Sequence, residues 1–200
     1  MKMEYMNYYT ANEKFVENMH NGYITDAKKL MEHEQFNPNY ENENAITHLQ
    51  SAAEVDNIEM LDALYAKGAD PSKDIDALNT AAAWNHPNSI EWLVDHGADV
   101  HLNNEDALRT AVHYDKREAA EMLINKGADV EVAIPQIKNI KEETAQWLRS
   151  TANSVKLANK LDTTLAQKDN YEDMMKKLGL QHKAKQEQSQ SITRAGKIKV

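Results

Sequence analysis

Eight histidines are the first residues to test for chemistry: His20, His33, His48, His86, His96, His101, His113 and His182. Zinc sites need at least three converging protein ligands. No His-x-x-x-His pair with a third ligand occurs, and the absence of cysteine removes thiolate sites and disulfides. The expected place of these histidines is on surfaces and in turns. Carboxylates that share a proton must meet in space, whereas Glu142-Glu143 and Glu32-x-Glu34 are paired only along the chain. Such charges ordinarily form a solvated helix face. A phosphate-binding loop needs clustered glycines, and the six glycines never stand close together. There is no Gly-x-Ser-x-Gly nucleophile motif. With no acid–base or nucleophile constellation, the chain is expected to be non-enzymatic, with no cofactor and no bound metal.

What remains is recognition, and the elements that would position it carry a clear signal. Gly-Ala-Asp occurs at Gly68-Ala69-Asp70, Gly97-Ala98-Asp99 and Gly127-Ala128-Asp129, with the glycines 29 and 30 residues apart. An amphipathic run precedes each: Ile58–Tyr65, Ser89–Val94 and Glu118–Ile124. A fixed period near thirty with similar content marks a stacked repeat. Each Gly falls where a helix stops and the backbone turns left-handed. Lys67, His96 and Lys126 precede the three glycines and suit the negative end of a helix dipole.

Earlier in the chain, Phe15, Val16 and Met19, then Asn21-Gly22, then Ile24, Ala27, Leu30 and Met31 read as two short helices about a turn. Asn37-Pro38-Asn39 closes that first, degenerate unit. Three further units open with Thr47-His48-Leu49-Gln50-Ser51-Ala52-Ala53, Asp76-Ala77-Leu78-Asn79-Thr80-Ala81-Ala82 and Asp106-Ala107-Leu108-Arg109-Thr110-Ala111-Val112. Asp76 and Asp106 are expected helix N-caps. The small alanines let neighbouring helices approach closely.

These elements, in this order and spacing, resemble the ankyrin-repeat family over residues 11–153. The resemblance implies an all-α solenoid of about five helix pairs: 11–43, 44–72, 73–102, 103–132 and a capping unit at 133–153. Two departures stand out. The Thr-Pro-Leu-His box is reduced to Thr47-His48-Leu49-Gln50 in one unit and is absent from the others. The inter-unit loops, such as Pro71–Ile75 and Val100–Glu105, are too short for the family's β-hairpin fingers. In the capping unit Lys141–Arg149 echoes Lys116–Ile124, and Pro135 is placed near the start of its first helix.

Residues 1–10 are expected to form an arm. Residues 154–180 are expected to form a helical extension, with Val155, Ala158, Leu161 and Leu165 on one face. Asn170 would cap a second helix burying Met174, Met175 and Leu178 and ending at Gly179. Two uses of this pair stand open: packing on the last repeat, or a seam between two copies of the chain. Residues 181–200 are polar and basic and are expected to be disordered alone.

In an ankyrin-like unit, the two residues after the Ala-Ala pair end the first helix on the concave surface. Here they are Glu54-Val55, Ala83-Trp84 and His113-Tyr114. The resemblance therefore points to Trp84, Tyr114, Val55 and His113 as partner contacts, with Glu54, Asn88 and Arg109 at the rim. The competing reading has Trp84 and Tyr114 merely covering the seams between units. Trp and Tyr are frequent interface anchors.

Charge narrows the partner. Net charge is −9 overall, with −14 over residues 1–130 and +5 over 131–200. An acidic body disfavours phosphate backbones and permits a basic or mixed protein surface. Two functions are expected from this: an interaction module that recruits or blocks a partner protein, or an acidic decoy on the nucleic-acid site of a DNA- or RNA-handling protein. No apolar run reaches the ~20 residues of a membrane span. The expected compartment is the cytoplasm, or a host cytosol for a bacterial or viral effector.

Overall fold

The computed structural model describes the backbone of residues 8–177 and the side chains of 11–176. Two compact units divide the chain after Ala152. The expected tail from residue 181 and the helix end at Gly179 lie outside the described residues, as do residues 1–7 of the expected arm.

The first unit is a series of helix pairs. They are α1 (Tyr8–His20) with α2 (Ile24–Leu30), α3 (His48–Glu54) with α4 (Ile58–Ala66), α5 (Ile75–Trp84) with α6 (Pro87–Asp95), and α7 (Leu102–His113) with α8 (Arg117–Asn125). A short α9 (Val130–Ala133) and the start of α10 (Glu142–Lys177) follow. The first helices pack in sequence, α1 on α3, α3 on α5, α5 on α7 and α7 on α9. Behind them α4 packs on α6 and α6 on α8. No strand occurs among the described residues, only an isolated antiparallel bridge between Glu41 and Thr47. This unit is the all-α solenoid that the resemblance implied.

The same positions fill the core of each pair. Leu49, Leu78 and Leu108 are buried on the first helices, with Ala52-Ala53, Ala81-Ala82 and Ala111 beside them. Leu64, Leu93 and Leu123 are fully buried on the second helices. Burying each leucine stabilises the stack by roughly 1.5–3 kcal/mol. The alanines set the close helix spacing that makes this possible.

Gly-Ala-Asp now resolves into three separate jobs. Gly68, Gly97 and Gly127 have φ of +97°, +107° and +108°. Their amides donate to Tyr65, Val94 and Ile124, while the next amides, of Ala69, Ala98 and Ala128, reach back to Leu64, Leu93 and Leu123 at 2.9–3.0 Å. That pair of bonds closes a helix with a left-handed residue, and the alanine buries itself against the last turn. The aspartate then accepts a backbone N–H two residues on: Asp70 from Ser72, Asp99 from His101 and Asp129 from Glu131. A Ser or Asn could serve there nearly as well; the glycine could be replaced only with strain.

Four expectations need correction. α5 is capped by Asp74, whose Oδ1 accepts the Ala77 amide, and not by Asp76. The 3-10 turn Pro71–Lys73 brings the chain in two residues earlier than the equivalent Thr47. Asp106 caps no backbone amide either. α7 opens on three left-handed residues, Asn103, Asn104 and Glu105, and the Asp106 carboxylate is taken by Asn79 and Arg109.

His48 is not on the surface. It is fully buried, stacked on Phe36 at 4.7 Å and tilted against Phe15 and Tyr40. Its Nε2 lies 3.3 Å from the Asn12 carbonyl oxygen. Three aromatic rings offer an apolar slot of imidazole size, and the ring is neutral there. Burial pushes its pKa down to about 4, against smaller upward effects from the backbone of Asn12 and Asn37.

The fourth correction concerns the second unit. α10 runs unbroken through Asn170 to Lys177. A single Asn costs a helix interior under about 1 kcal/mol, and no Gly or Pro accompanies it. Nor are the apolar side chains of this unit buried, since Leu157, Leu161, Leu165 and Met174 are exposed.

Candidate protein-interaction surface

The first helix of each full unit ends on an exposed apolar or aromatic residue. Val55 caps α3, Trp84 is the last residue of α5 and Tyr114 caps α7. Val55 is 39% exposed, Trp84 56% and Tyr114 56%. The three occupy one equivalent place in successive units. The His113 ring meets Tyr114 edge-on at 4.8 Å.

A left-handed residue fixes each of them. Asp56, Asn85 and Asp115 follow immediately, with φ of +51°, +63° and +53°. Asp and Asn tolerate this conformation better than other side chains. The turn they make sends the chain into the second helix and leaves the preceding residue at the edge.

Two of these turn residues also reach the next unit. Asp56 Oδ1 accepts the Ser89 amide at 3.0 Å and the Ser89 hydroxyl at 2.7 Å, and its Oδ2 accepts Asn88 Nδ2 at 3.0 Å. Asn85 Oδ1 accepts the Ala119 amide at 3.0 Å, while its Nδ2 donates to Glu118 at 2.7 Å. That bond holds the Glu118 carboxyl below its ordinary pKa. The start of each following helix is thus capped from the unit before it. Asn85→Ala is expected to cost about 1–2 kcal/mol in urea unfolding, and Asn85→Gly less of the strain part. Equal stability of both variants with the parent would show the turn carries nothing.

Of the other expected contacts, Glu54 is half-buried. Its carboxylate pairs with His20 at 2.8 Å and its carbonyl meets His86 Nε2 at 3.0 Å. Asn88 is exposed but tied to Asp56. Arg109 is half-buried and bonded to Asp106 at 2.5 Å. The edge therefore gathers Val55, Trp84, Tyr114 and His113, while Glu54, Asn88 and Arg109 are engaged within the stack. Asp56 and Asn85 were missed in sequence. Their signal is an Asp or Asn just before a helix start, one position after the edge residue.

Trp92 lies elsewhere. It is buried on α6, stacked on His96 at 3.9 Å, with Tyr65 edge-on and its Nε1–H donating to Asp62. Between the first two full units an open cleft of about 580 Å³ is lined by Glu41, Asp70, Asp74 and Asp76 beside Lys73. Lys73 holds Asp70 below its ordinary carboxylate pKa, whereas burial raises Asp74. Among the described residues no group of three metal-ligating side chains converges. No described helix is long and apolar enough to cross a membrane.

Helix pairs stacked in one direction, with exposed aromatics at a repeated edge, define a helical-repeat scaffold. Residues 73–134 match the family model described as ankyrin repeats (3 copies). The unit at 44–72 lies before the matched segment yet has the same helix pair and the same Gly-Ala-Asp closure. No curated protein matches the chain. Ankyrin repeats make this a protein–protein interaction module.

Proposed function

We propose that the chain recruits or blocks a partner protein through the edge formed by Val55, Trp84 and Tyr114, with His113 beside them. The observation that carries this is the exposure of two large aromatics at one repeated position, each locked by the turn that follows. Exposed rings cost little to desolvate and lose little entropy when a partner covers them. The partner surface is basic or mixed, because the repeats are acidic.

Trp84→Ala is expected to weaken binding by about 2 kcal/mol, roughly 30-fold, with little change in melting temperature. The partner would be captured from a lysate of the source organism and titrated by calorimetry at two salt concentrations. Full affinity in both Trp84→Ala and Tyr114→Ala removes the edge from the interface.

The acidic cleft favours a second reading, occupation of a basic nucleic-acid-binding site on another protein. Affinity would then fall steeply with salt and be competed by nucleic acid. An aromatic-anchored interface keeps most of its affinity under the same conditions.

A further inference from the structure

At the entry to α7 the backbone departs from the repeat. Leu78 stands ten residues after Gly68, but Leu108 stands eleven after Gly97, so this unit carries one residue more in its loop. The surplus is absorbed by three consecutive left-handed residues, Asn103, Asn104 and Glu105, with φ of +50°, +59° and +62°. Asn tolerates that conformation, whereas a glutamate has no local reason to adopt it. Strain of this kind persists only where surrounding contacts hold it.

The contact that holds it is a buried charge. The Glu105 side chain is almost fully buried, while the His101 ring four residues earlier is exposed. Glu105 Oε1 lies 2.7 Å from His101 Nδ1, and its Oε2 has no hydrogen-bond partner. Among the described residues no lysine or arginine pairs with Glu105. The charges nearby are engaged or acidic. Asp106 is bonded to Asn79 of α5 and to Arg109, and Glu131 of α9 to Arg149. Asp99, before the turn, and Asp129, at the head of α9, act on the ring and favour its charged form. The hydrogen bond from Glu105 is the largest effect and outweighs burial, so the His101 pKa lies above its ordinary 6.5.

A buried carboxylate that loses its counter-charge must take up a proton or reach water. We propose that the charge on His101 is a latch on this turn. With the ring protonated, Glu105 stays inside and the turn is left-handed. With the ring neutral, Glu105 swings to solvent and Asn103, Asn104 and Glu105 join α7 as right-handed helix. The pair's contribution is complete below pH 6.5 and is lost as pH rises through the raised His101 pKa. The turn borders the narrow cleft between α5 and α7, which Leu102 and Asp106 line together with Pro71 and Ile75. Release therefore remodels the loop side of the array, at the opposite end of α7 from Tyr114. The proposal is independent of the aromatic edge.

The full chain, isotopically labelled, would be titrated by NMR from about pH 6 to about pH 9, the range in which a raised histidine changes charge. The His101 ring and the backbone signals of Asn103, Asn104 and Glu105 are expected to move with one midpoint above 6.5, and couplings that report φ to change with them. In Glu105→Gln the His101 midpoint is expected to fall back toward 6.5, and the turn to stop following pH. His101→Ala removes an exposed ring and is expected to show the released turn at every pH, with circular dichroism checking that the helices remain. Turn signals that hold still while His101 titrates overturn the latch. So does a left-handed turn that persists in His101→Ala.

Discussion

Acidification from pH 7 to pH 4 is expected to remove about 3 kcal/mol of stability through His48 alone. The folded protein holds this imidazole neutral, with a pKa near 4 instead of 6.5, because burial among Phe15, Phe36 and Tyr40 penalises the charged ring. Between those two pH values the unfolded chain binds a proton that the folded chain refuses. Stability therefore rises with pH across that window. The contribution is complete above pH 6.5 and is lost as pH falls toward 4. The change from 6.5 to about 4 corresponds to roughly 3 kcal/mol at 1.36 kcal/mol per pH unit. Urea unfolding would be run at several pH values on the parent and on His48→Phe. The variant keeps the ring stack and removes the proton site. The difference between the two is expected to widen as pH falls, which cancels the other titrating groups, Asp74 among them. Parallel pH profiles would mean His48 titrates as an exposed histidine.

Gly97→Val is the second large effect, at about 2–3 kcal/mol. The position is roomy, since an added Cβ would meet only the Ser72 Cβ at 3.8 Å, an ordinary contact. The cost is in the backbone. At φ +107° a β-branched side chain collides with its own main chain, and relieving the clash breaks the bonds that Gly97 and Ala98 make to Val94 and Leu93. Gly97→Asn is expected to be milder, because Asn accepts left-handed backbone more readily. The check is the order of the two variants in chemical unfolding. Equal loss in both would place the cost in packing and not in φ.

The repeat architecture was legible because a left-handed helix end has few sequence solutions. Gly at three matched places, followed by a small residue and an Asx turn, is a local rule that tertiary contacts do not override. The exposed edge was legible for the same reason, since Trp84 and Tyr114 hold one position relative to Ala81-Ala82 and Ala111. What escaped depends on partners distant in sequence. His48 is buried because Phe15 and Phe36 come from other segments, and no local pattern around residue 48 announces them. The cap of α5 moved from Asp76 to Asp74 because Pro71 starts a 3-10 turn, a choice set by loop length. Three left-handed residues at Asn103–Glu105 defied the helix pattern that Asp106-Ala107-Leu108 suggested. Glu105 is buried there with its Oε1 on His101 Nδ1 at 2.7 Å, a contact that raises the His101 pKa. Asn170 looked like a boundary because Asn often caps helices, yet an isolated Asn without Gly or Pro is too weak to break one.

Asp56 and Asn85 give the array a direction. Each lends its side chain forward, to the helix that begins in the following unit. Opening one unit therefore strips the cap from the second helix of its successor, while the predecessor keeps the caps of its own helices, though it loses cross-unit bonds such as that of the Glu54 carbonyl with His86. Among the described residues, Asp115 finishes no later helix in this way, so the sequence of loans stops with α8. Trimming units from the carboxyl side leaves capped helices behind, whereas trimming from the amino side through the unit that holds Asp56 or Asn85 leaves the new first unit with its second helix uncapped. An ancestral array with these turns could shed or gain units cleanly at one end only.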